Sequence, residues 1–370
     1  MKNKTLAISA INFFEGGPLS VLMDCLSFLN DSMYIKEYKL LALVHKKELF
    51  DLKKFSNIQF IEFPKSRSSY FFRLYYEYIY FKKFSKKHDV NFWLSLHDIT
   101  PNVGDISQAV YCHNPAPFNS LNFSDLMIQP TQFFFKLFYK FLYKININKN
   151  KFVIVQQLWL KNKFIDLFQI DSDKILISKP IVPKVPSKFL NINNKNSKIN
   201  FFYPTFPRPF KNIEVICNAV IELNKLNKLN FDITITIDGS ENIYAKKIVD
   251  KYNLINNINF IGLVSREKVY EYFSRTNCLL FPSKLETWGL PISECIQFNK
   301  PMIVSNLDYA KETVGDYDKA LFFNPNDSLE LSKKMRELIE NGNINFDLTE
   351  SIKYPKPFVN SWENLFKKIL

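Results

Sequence analysis

Short apolar runs alternate with segments of helical periodicity along most of the chain, and this alternation limits the fold more than any other feature. In the first half the strand-like runs are residues 6–11, 38–44, 58–63, 92–96, 108–112 and 152–156. In the second half they are residues 199–203, 232–237, 259–261, 278–281, 301–304 and 320–323, with helices predicted over 213–226, 266–273, 291–298 and 328–340. Because parallel strands need a crossover connection, the alternation predicts βαβ units and parallel sheets.

A polar stretch between the two series is the best interdomain linker in the chain. Residues 181–198 carry Pro183 and Pro186, followed by a run of Asn, Lys and Ser with little apolar surface to bury. A chain of 370 residues also exceeds what one hydrophobic core usually organises. We therefore predict an α/β protein with two Rossmann-like, doubly wound parallel-sheet domains that face each other across a cleft. The predicted parts are a domain over residues 1–186, a linker over 187–198, a domain over 199–352 and a helical segment over 353–370.

The composition is that of a folded globular protein with a strong positive charge. Apolar residues make up 46% and charged residues 23% of the chain, which excludes the disordered and fibrous classes. A net charge of +13 would attract nucleic acid, anionic lipid or phosphorylated substrates, and charge alone does not choose among them. The lysines are scattered through Lys/Asn/Ile-rich stretches, so a compositional bias without any binding role is an equal alternative.

The cysteines and the first residues are typical of a cytoplasmic protein. The five cysteines are widely spaced and form no CxxC or Cys/His cluster, so we interpret them as reduced thiols and not as metal ligands. Residues 1–14 combine lysines with a short apolar run that leads directly into Glu15-Gly16-Gly17, and we interpret them as the first strand. No run reaches the roughly 18 apolar residues of a membrane-spanning helix, so any membrane contact is expected to be peripheral.

One segment, residues 281–294 with the sequence FPSKLETWGLPISE, lies between an apolar strand and a helix. It places Glu286 and Glu294 eight positions apart, and its Gly289 and Pro291 suit a loop that enters a helix. The free N–H groups and the dipole at such a helix start can receive a diphosphate. For the spacing by itself, a capped surface helix with two solvated carboxylates is the alternative.

This segment resembles the E-x7-E signature of the retaining glycosyltransferases of family 4, which have the two-domain GT-B fold and include bacterial polysaccharide and O-antigen enzymes. The resemblance implies that Glu286 lies near the donor sugar as a catalytic residue and that Glu294 takes the ribose hydroxyls. It also implies that the loop between the two glutamates binds the donor. The loop residues concerned are Thr287, Trp288, Gly289 and Leu290.

A Pro-rich loop with two cations opens the second predicted domain. Lys211 resembles the family lysine that holds the pyrophosphate, and Arg208 is a candidate second cation. Fixed cations stabilise the charge on a departing diphosphate, so the resemblance also gives Lys211 a catalytic role. The usual family loop has a Gly-Arg pair beginning six residues before the lysine, whereas this chain has Thr205 and Phe206. A linker with exposed cations is the alternative.

Glycines follow predicted strands at two further places. Gly239 resembles the family's turn beside the nucleotide. Gly16 and Gly17, between the first strand and the first helix, resemble the loop in which the backbone approaches donor phosphate and acceptor. Any βα unit needs such a turn, so a purely structural role is the alternative.

Histidine and aspartate residues follow other predicted strands. The family often places a histidine that touches the donor sugar and acceptor where His113 lies, which implies a catalytic role, although a lone histidine is more often structural. His97 and Asp98 are candidates to shape an acceptor pocket. Asp171 and Asp173 form an Asp-x-Asp pattern that binds metal in a different glycosyltransferase fold. Here the pattern lies in a polar turn before residues 174–178, so we predict no metal and no cofactor.

Two helices rich in lysine and aromatic residues are predicted in the first half. Residues 131–144 place Lys136, Lys140 and Lys144 four apart beside aromatic side chains, and residues 70–87 end in four lysines. Such helices can lie in an anionic membrane interface. Packing into the N-terminal domain with solvated lysines is the alternative.

Residues and resemblance together predict a glycosyltransferase that moves a hexosyl-type sugar from a nucleotide-diphosphate sugar to a lipid-linked or growing glycan, with retention. The expected setting is surface polysaccharide or lipopolysaccharide biosynthesis, peripherally on the inner face of the cytoplasmic membrane, without nucleic acid as a partner. One alternative is a nucleotide-sugar epimerase or a phosphorylase of the same fold. Another is a non-catalytic basic protein that binds membrane or nucleic acid.

Overall fold

The protein divides into two compact units. The computed structural model describes residues 4–118, 138–190, 198–226, 229–342 and 345–370. The first unit, called the N unit here, comprises Met1–Ile181 and Tyr354–Leu370, and the second, called the C unit, comprises Val182–Lys353. The chain therefore leaves the N unit before the predicted boundary at residue 186, and its last residues return to the N unit.

The N unit is built on a parallel sheet. Its strands in chain order are β1 Lys4–Ala10, β2 Tyr38–Val44, β3 Ile58–Glu62, β4 Val90–Ser95, β5 Ser107–Cys112, β6 Phe152–Val155 and β7 Ile175–Ser178. The spatial order is β7-β6-β5-β4-β1-β2-β3, and every neighbouring pair is parallel. The first six strands confirm the sequence prediction to within two residues at each end, whereas β7 was not among the predicted strands.

Side chains of the central strands alternate between two hydrophobic cores. On β1, Leu6 and Ile8 belong to one core and Ala7 belongs to the other, and Leu40 and Leu41 of β2 divide in the same way. This period of two buries both faces of the sheet, which is the arrangement that helices on both sides of a parallel sheet produce.

Helices cover both faces of this sheet. They are α1 Gly16–Asp31, α2 Tyr34–Glu37, α3 Tyr70–Tyr75, α4 Phe81–Lys87 and α5 Leu158–Phe168, and the π-helix Tyr76–Tyr80 joins α3 to α4. Short 3₁₀ turns are Lys47–Leu49, Pro64–Arg67, Ala116–Phe118, Ile147–Lys149 and Ser172–Lys174. Of the helix predicted over 131–144, residues 138–144 are helical, and the preceding residues, with Lys136, lie outside the described residues.

The C unit repeats the parallel architecture. Its strands are β8 Ile199–Tyr203, β9 Phe231–Ile235, β10 Ile258–Phe260, β11 Cys278–Phe281, β12 Met302–Ser305 and β13 Ala320–Phe323, in the order β10-β9-β8-β11-β12-β13. Its helices are α6 Ile213–Asn224, α7 Ile243–Tyr252, α8 Arg266–Arg275, α9 Leu290–Gln297, α10 Asp308–Val314 and α11 Ser328–Asn341. All six strands were predicted, whereas α7 and α10 were not.

The last residues extend the N unit. Strand β14, Phe358–Val359, pairs in parallel with β7, and helix α12, Trp362–Ile369, follows it. The apolar face of α12 packs in the same core as α1, and the rings of Phe28 and Phe366 stack 5.8 Å apart. Hydrophobic burial against α1 therefore explains the return of the chain.

Two further properties of the described residues bear on the sequence predictions. All five cysteines are free and buried. Within the described ranges, the helices are too short or too polar to cross a membrane.

Candidate functional site

The C unit brings two distant loops together at the carboxyl ends of its central strands. Strand order reverses at β8 and β11, which neighbour each other, and such a reversal opens a crevice for ligands. The loop after β8 carries Lys211 in the 3₁₀ turn Pro209–Lys211, and the loop after β11 carries Glu286. Lys211 Nζ lies 2.5 Å from Glu286 Oε1, and both side chains are largely buried. The two residues that the sequence assigns to catalysis in this unit thus form one ion pair.

Hydrogen bonds to backbone carbonyls hold the loops against each other. Asn212 Nδ2 donates to the carbonyls of Pro282, at 3.1 Å, and Pro325, at 2.7 Å. The N–H of Lys284 donates to the carbonyl of Phe210 at 2.7 Å. Asn212 was not predicted from the sequence, because it belongs to no recognisable motif. Its backbone is left-handed (φ +57°), a conformation that asparagine adopts more readily than most residues.

The second loop ends at the start of α9 in a conformation that suits glycine. Gly289 has φ +82°, and a Cβ there would lie 3.2 Å from a Phe281 ring carbon and 3.3 Å from Ile292 Cδ1. Thr313, on the unpredicted helix α10, donates its hydroxyl to the carbonyl of Trp288. Trp288 is buried, whereas the neighbouring Thr287 and Leu290 are partly exposed. The donor-binding loop predicted from sequence is thus held from both sides.

Glu294, the second carboxylate predicted from the sequence, forms an ion pair with a different basic residue. It lies in α9 with 1% of its side chain exposed and forms an ion pair with the guanidinium of Arg266, at the start of α8. Burial raises the pKa of Glu294 to about 7, and the neighbouring Arg266 opposes that rise. Arg266 Nε also donates to Tyr270 Oη at 3.0 Å. Sequence analysis placed a helix here but did not identify Arg266, because a single arginine in a polar helix gives no signal of its partner.

Two other predicted residues lie on neighbouring loops of the same edge. The guanidinium of Arg208 lies over the ring of Phe206, 5.1 Å from its centroid. Gly239 has φ +97°, and its N–H donates to Glu241 Oε2 at 3.0 Å. A Cβ at Gly262, after β10, would lie 2.6 Å from Asp238 Oδ2, so the loops after β9 and β10 approach closely.

In the N unit, the loop that carries His113 follows β5 and contacts the loop after β4. Asp98 Oδ1 accepts the N–H of His113 at 2.8 Å and that of Asn114 at 3.1 Å. The imidazole lies between Phe13, with ring centroids 5.2 Å apart, and Tyr111, at 5.8 Å. Burial lowers the pKa of His113, whereas the nearby Asp98 raises it.

A buried cluster of ionisable side chains lies behind that loop. His97 Nδ1 is 3.2 Å from Glu77 Oε1, and His97 Nε2 is 3.0 Å from Ser9 Oγ. Arg73 Nη2 donates to the His97 carbonyl at 3.1 Å. Burial raises the pKa of Glu77 to about 8, opposed by Arg73, and burial lowers the pKa of His97 well below its ordinary value. Arg73 and Glu77 were missed because they lie inside a segment that the sequence interprets as a surface helix.

The remaining residues predicted from the sequence lie at the start of α1 and in an exposed turn of the N unit. Gly16, with φ +69°, and Gly17 begin α1, and a Cβ at either would meet no atom within 4 Å. Asp171 and Asp173 are exposed at the 3₁₀ turn Ser172–Lys174, as the sequence predicts. In the part of the chain that the structure describes, there is no group of three His, Cys, Asp or Glu residues that could hold a metal.

Comparisons with known proteins agree with this architecture. Residues 187–354 match the model of the family described as glycosyl transferases group 1. The O-antigen chain mannosyltransferase RfbU of Salmonella typhimurium is 25% identical over 223 residues, covering 60% of this chain and 58% of RfbU. The chain matches less than two thirds of the length of its curated relatives, 58 to 64%.

Solved structures share the fold across nearly the whole chain. A glycosyltransferase from Rickettsia africae superposes with a TM-score of 0.64 at 16% identity, covering 90% of this chain and 88% of that one. Anabaena HepE, in complex with UDP and glucose, gives 0.63 at 13% identity, covering 92% and 91%. At these identities the likeness shows the fold alone, and that fold is GT-B.

Proposed function

We propose that this chain, whose residues 187–354 match the model of the group 1 glycosyl transferases, is a glycosyltransferase that moves a hexosyl-type sugar from a nucleotide-diphosphate sugar to a glycan acceptor. The observation that carries the proposal is the Lys211–Glu286 ion pair beside the start of α9. The pair lies at the switch point of a parallel sheet, where doubly wound domains bind nucleotides.

The diphosphate of the donor is the natural ligand of the cations in this unit. In the donor complex, Lys211 exchanges Glu286 for a phosphate oxygen, and Arg208 supplies a second cation from the same loop. The first N–H groups of α9 add their partial positive charge. Fixed cations stabilise the negative charge that grows on the departing phosphate, so a divalent metal is not required and we propose none.

The carboxylates serve the sugar and the ribose. Released from Lys211, Glu286 accepts hydrogen bonds from hydroxyls of the transferred sugar, and Glu294 accepts them from the ribose. Thr287, Gly289 and Gly239 bring backbone groups close to the donor. Two similar proteins support a nucleotide-hexose donor. RfbU is named as a mannosyltransferase, and Anabaena HepE was solved in complex with UDP and glucose.

We propose transfer with retention. The bond between the anomeric carbon and the leaving phosphate oxygen breaks, and the acceptor oxygen bonds the same carbon on the same face. The proton of the acceptor hydroxyl passes to the leaving phosphate oxygen, so no protein base is needed. His113 contacts the sugar as a neutral imidazole, since burial lowers its pKa, and the Gly16-Gly17 turn gives the acceptor room.

The acceptor in this proposal is a lipid-linked or growing glycan of a surface polysaccharide. The similarity to RfbU, an O-antigen chain mannosyltransferase, supports this class. A lipid-linked acceptor places the enzyme peripherally at the inner face of the cytoplasmic membrane.

The surface of α3, the π-helix and α4 supports a membrane contact. One face of this segment is buried through Arg73, Glu77 and Phe81, so the alternative of packing against the sheet holds for that face. The opposite face leaves Phe71 75% exposed and Ile79 56% exposed, and exposed lysines follow in α4. Apolar side chains next to cations suit an anionic lipid interface.

A nucleotide screen tests the donor proposal. Thermal unfolding is followed with UDP, GDP, ADP and their hexose conjugates, because a ligand that binds only the native state raises the melting temperature. We expect one nucleotide diphosphate and its sugar to stabilise the parent, and Lys211→Ala to abolish the shift. The matched control is Lys225→Ala, which removes an exposed lysine from a Glu222 pair in the same unit.

Transfer is then measured with the stabilising donor and glycan acceptors. No shift with any nucleotide, together with a salt-sensitive nucleic-acid complex, would contradict the proposal and favour the non-catalytic alternative. Turnover of the donor without any acceptor would favour the epimerase.

A further inference from the structure

We infer that Asp98 is a positioning residue for His113: its carboxylate holds the backbone of the loop that presents the imidazole. The inference rests on the proposed function in one respect, since it takes His113 as the residue that contacts the sugar. It adds a role for a buried acidic residue that the transfer chemistry does not use.

The geometry of the carboxylate carries the inference. Asp98 is buried on the loop after β4, and its Oδ1 accepts two consecutive N–H groups, those of His113 and Asn114. The N–H of Asp98 donates to the Tyr111 carbonyl at 3.2 Å, so the two loops are joined in both directions. Hydrogen bonds to an ionised acceptor are roughly twice as strong as neutral ones.

Other contacts among the described residues also restrain the loop that Asp98 holds. The Asn114 carbonyl accepts the hydroxyl of Tyr143 at 3.0 Å, and the His113 ring rests between Phe13 and Tyr111. Ring contacts of this kind permit sliding, whereas two hydrogen bonds to one oxygen fix the backbone. The carboxylate therefore sets the position from which the imidazole projects.

Asp98 is itself anchored. The preceding residue, His97, is fully buried, its carbonyl accepts Arg73 Nη2, and its ring lies between Glu77 and Ser9. The buried cluster thus fixes the loop on which Asp98 lies, and Asp98 transmits that position to His113.

The backbone at Asp98 allows a decisive set of variants. Its φ of +72° lies in the left-handed region, which asparagine and glycine tolerate and alanine does not. Asp98→Asn keeps both the backbone and an acceptor oxygen but removes the charge. Asp98→Gly keeps the backbone and removes the acceptor.

Two readouts separate the inference from the proposed function. The first is amide hydrogen exchange at His113 and Asn114, which needs no activity. We expect exchange at both amides to accelerate about tenfold or more in Asp98→Gly and much less in Asp98→Asn. An equal acceleration in both variants, or none in Asp98→Gly, overturns the inference.

The second readout is transfer kinetics. Because a displacement of about 1 Å can cost about a hundredfold in rate, Asp98→Gly should lower kcat by about that factor with little change in donor KM. Asp98→Asn should keep kcat within about threefold of the parent. Equal losses in both variants would show that the charge matters and not the two amide bonds, and would overturn the inference.

A spectroscopic signature completes the test. The Asp98 carboxylate raises the pKa of His113 against the effect of burial, so the imidazole of Asp98→Asn should titrate at lower pH in NMR. An unchanged titration would show that no ionised Asp98 carboxylate lies beside His113, and would overturn the inference. If the parent transfers no sugar while exchange and titration behave as expected, the proposed function fails and the positioning of His113 stands.

Discussion

Lys211 and Glu286 form an ion pair of 2.5 Å across 75 residues of sequence, between the loops that follow two adjacent strands. Within the C unit, each residue therefore neutralises the charge of the other. In the proposed function the donor separates them, because its diphosphate would attract the ammonium and its sugar hydroxyls would bind the carboxylate. The two residues are accordingly both a stabilising ion pair and the residues that we propose to bind the diphosphate and the sugar.

Removal of either member should impair transfer. We expect Lys211→Ala and Glu286→Gln each to lower kcat/KM at least about tenfold, a loss of roughly 1.4 kcal/mol of transition-state stabilisation. Steady-state transfer assays measure this, and circular dichroism checks that both variants remain folded.

The matched controls lie on the exposed side of the same unit. Lys225→Ala and Glu222→Gln break a pair of 2.7 Å within one helical turn and should leave kcat/KM unchanged. Near-parent turnover in Lys211→Ala or Glu286→Gln would remove that residue from the site.

The glycine before α9 offers a test of the loop's geometry. Gly289→Ala introduces a Cβ at φ +82° within 3.3 Å of two side chains, so we expect a loss of stability above the roughly 1–2 kcal/mol of the backbone conformation alone. Urea unfolding of the chain measures the loss. Gly342→Ala is the matched control, since Gly342 also has positive φ (+66°) but nothing within 4 Å. An equal loss of unfolding free energy in the two variants would show that the nearby side chains do not restrict a Cβ at Gly289.

The sequence predicts the strands of both sheets better than it predicts the short strand β14 and the helices α10 and α12. Apolar runs such as those of β2 and β11 give a clear signal, because both faces of a parallel strand are buried. β14 has two residues, and its pairing with β7 depends on α12 reaching the core beside α1. Helix α10 is short, and its burial follows from contacts with the loop that contains Trp288. Such contacts arise only in the folded unit.

The same limit applies to the candidate site. Glu286, Glu294 and Lys211 were identifiable because they lie in motifs after strands. Arg266 and Asp98 were harder to assign, because their importance lies in partners 28 and 15 positions away. The roles proposed for Glu286, Glu294, Lys211 and Asp98 in transfer stay predictions.

The buried Glu77 predicts a specific pH dependence of stability. Its pKa in the folded protein is about 8, above the ordinary value of 4.5 that applies in the unfolded chain. Between these values the folded state holds one more proton, so the free energy of unfolding falls as pH rises, by up to about 1.4 kcal/mol per unit. Glu77→Gln cannot lose this proton and should therefore gain stability relative to the parent between about pH 5 and about pH 8.

Urea unfolding at several pH values measures the difference between Glu77→Gln and the parent. The control is Glu363→Gln, which alters an exposed carboxylate paired with Lys367 in the same unit. A difference that stays constant across the pH range would show that Glu77 is ionised in the folded protein throughout.

Metal removal tests the proposal that protein cations serve the diphosphate. We expect transfer to survive EDTA, because Lys211, Arg208 and the start of α9 provide the positive charge. Complete loss of activity that manganese or magnesium restores would contradict this, and Asp171 and Asp173 would then be the first residues to replace. Calcium-saturated EDTA is the control for effects of the chelator itself.

The last prediction concerns binding to the membrane. The sequence predicts that lysines contribute to this binding, and the structure adds exposed apolar side chains. Phe71 and Ile79 lie two turns apart on the outer face of a segment whose inner face is fixed by Arg73 and Glu77. Insertion into an interface would bury them, and each is worth roughly 1–2 kcal/mol. Phe71→Ser combined with Ile79→Ser should therefore weaken binding to anionic liposomes at least about tenfold.

Electrostatic attraction should add to this apolar contribution. Each lysine near an anionic surface contributes about 1 kcal/mol, so replacing Lys136, Lys140 and Lys144 with Gln should weaken liposome binding roughly a hundredfold. Sedimentation with anionic vesicles measures both effects, and turnover of a short water-soluble acceptor should hardly change. The control is Leu254→Ser, which removes a side chain that is 92% exposed in the C unit and should leave sedimentation unaltered. If the serine and glutamine variants all sediment like the parent, neither segment is the membrane anchor.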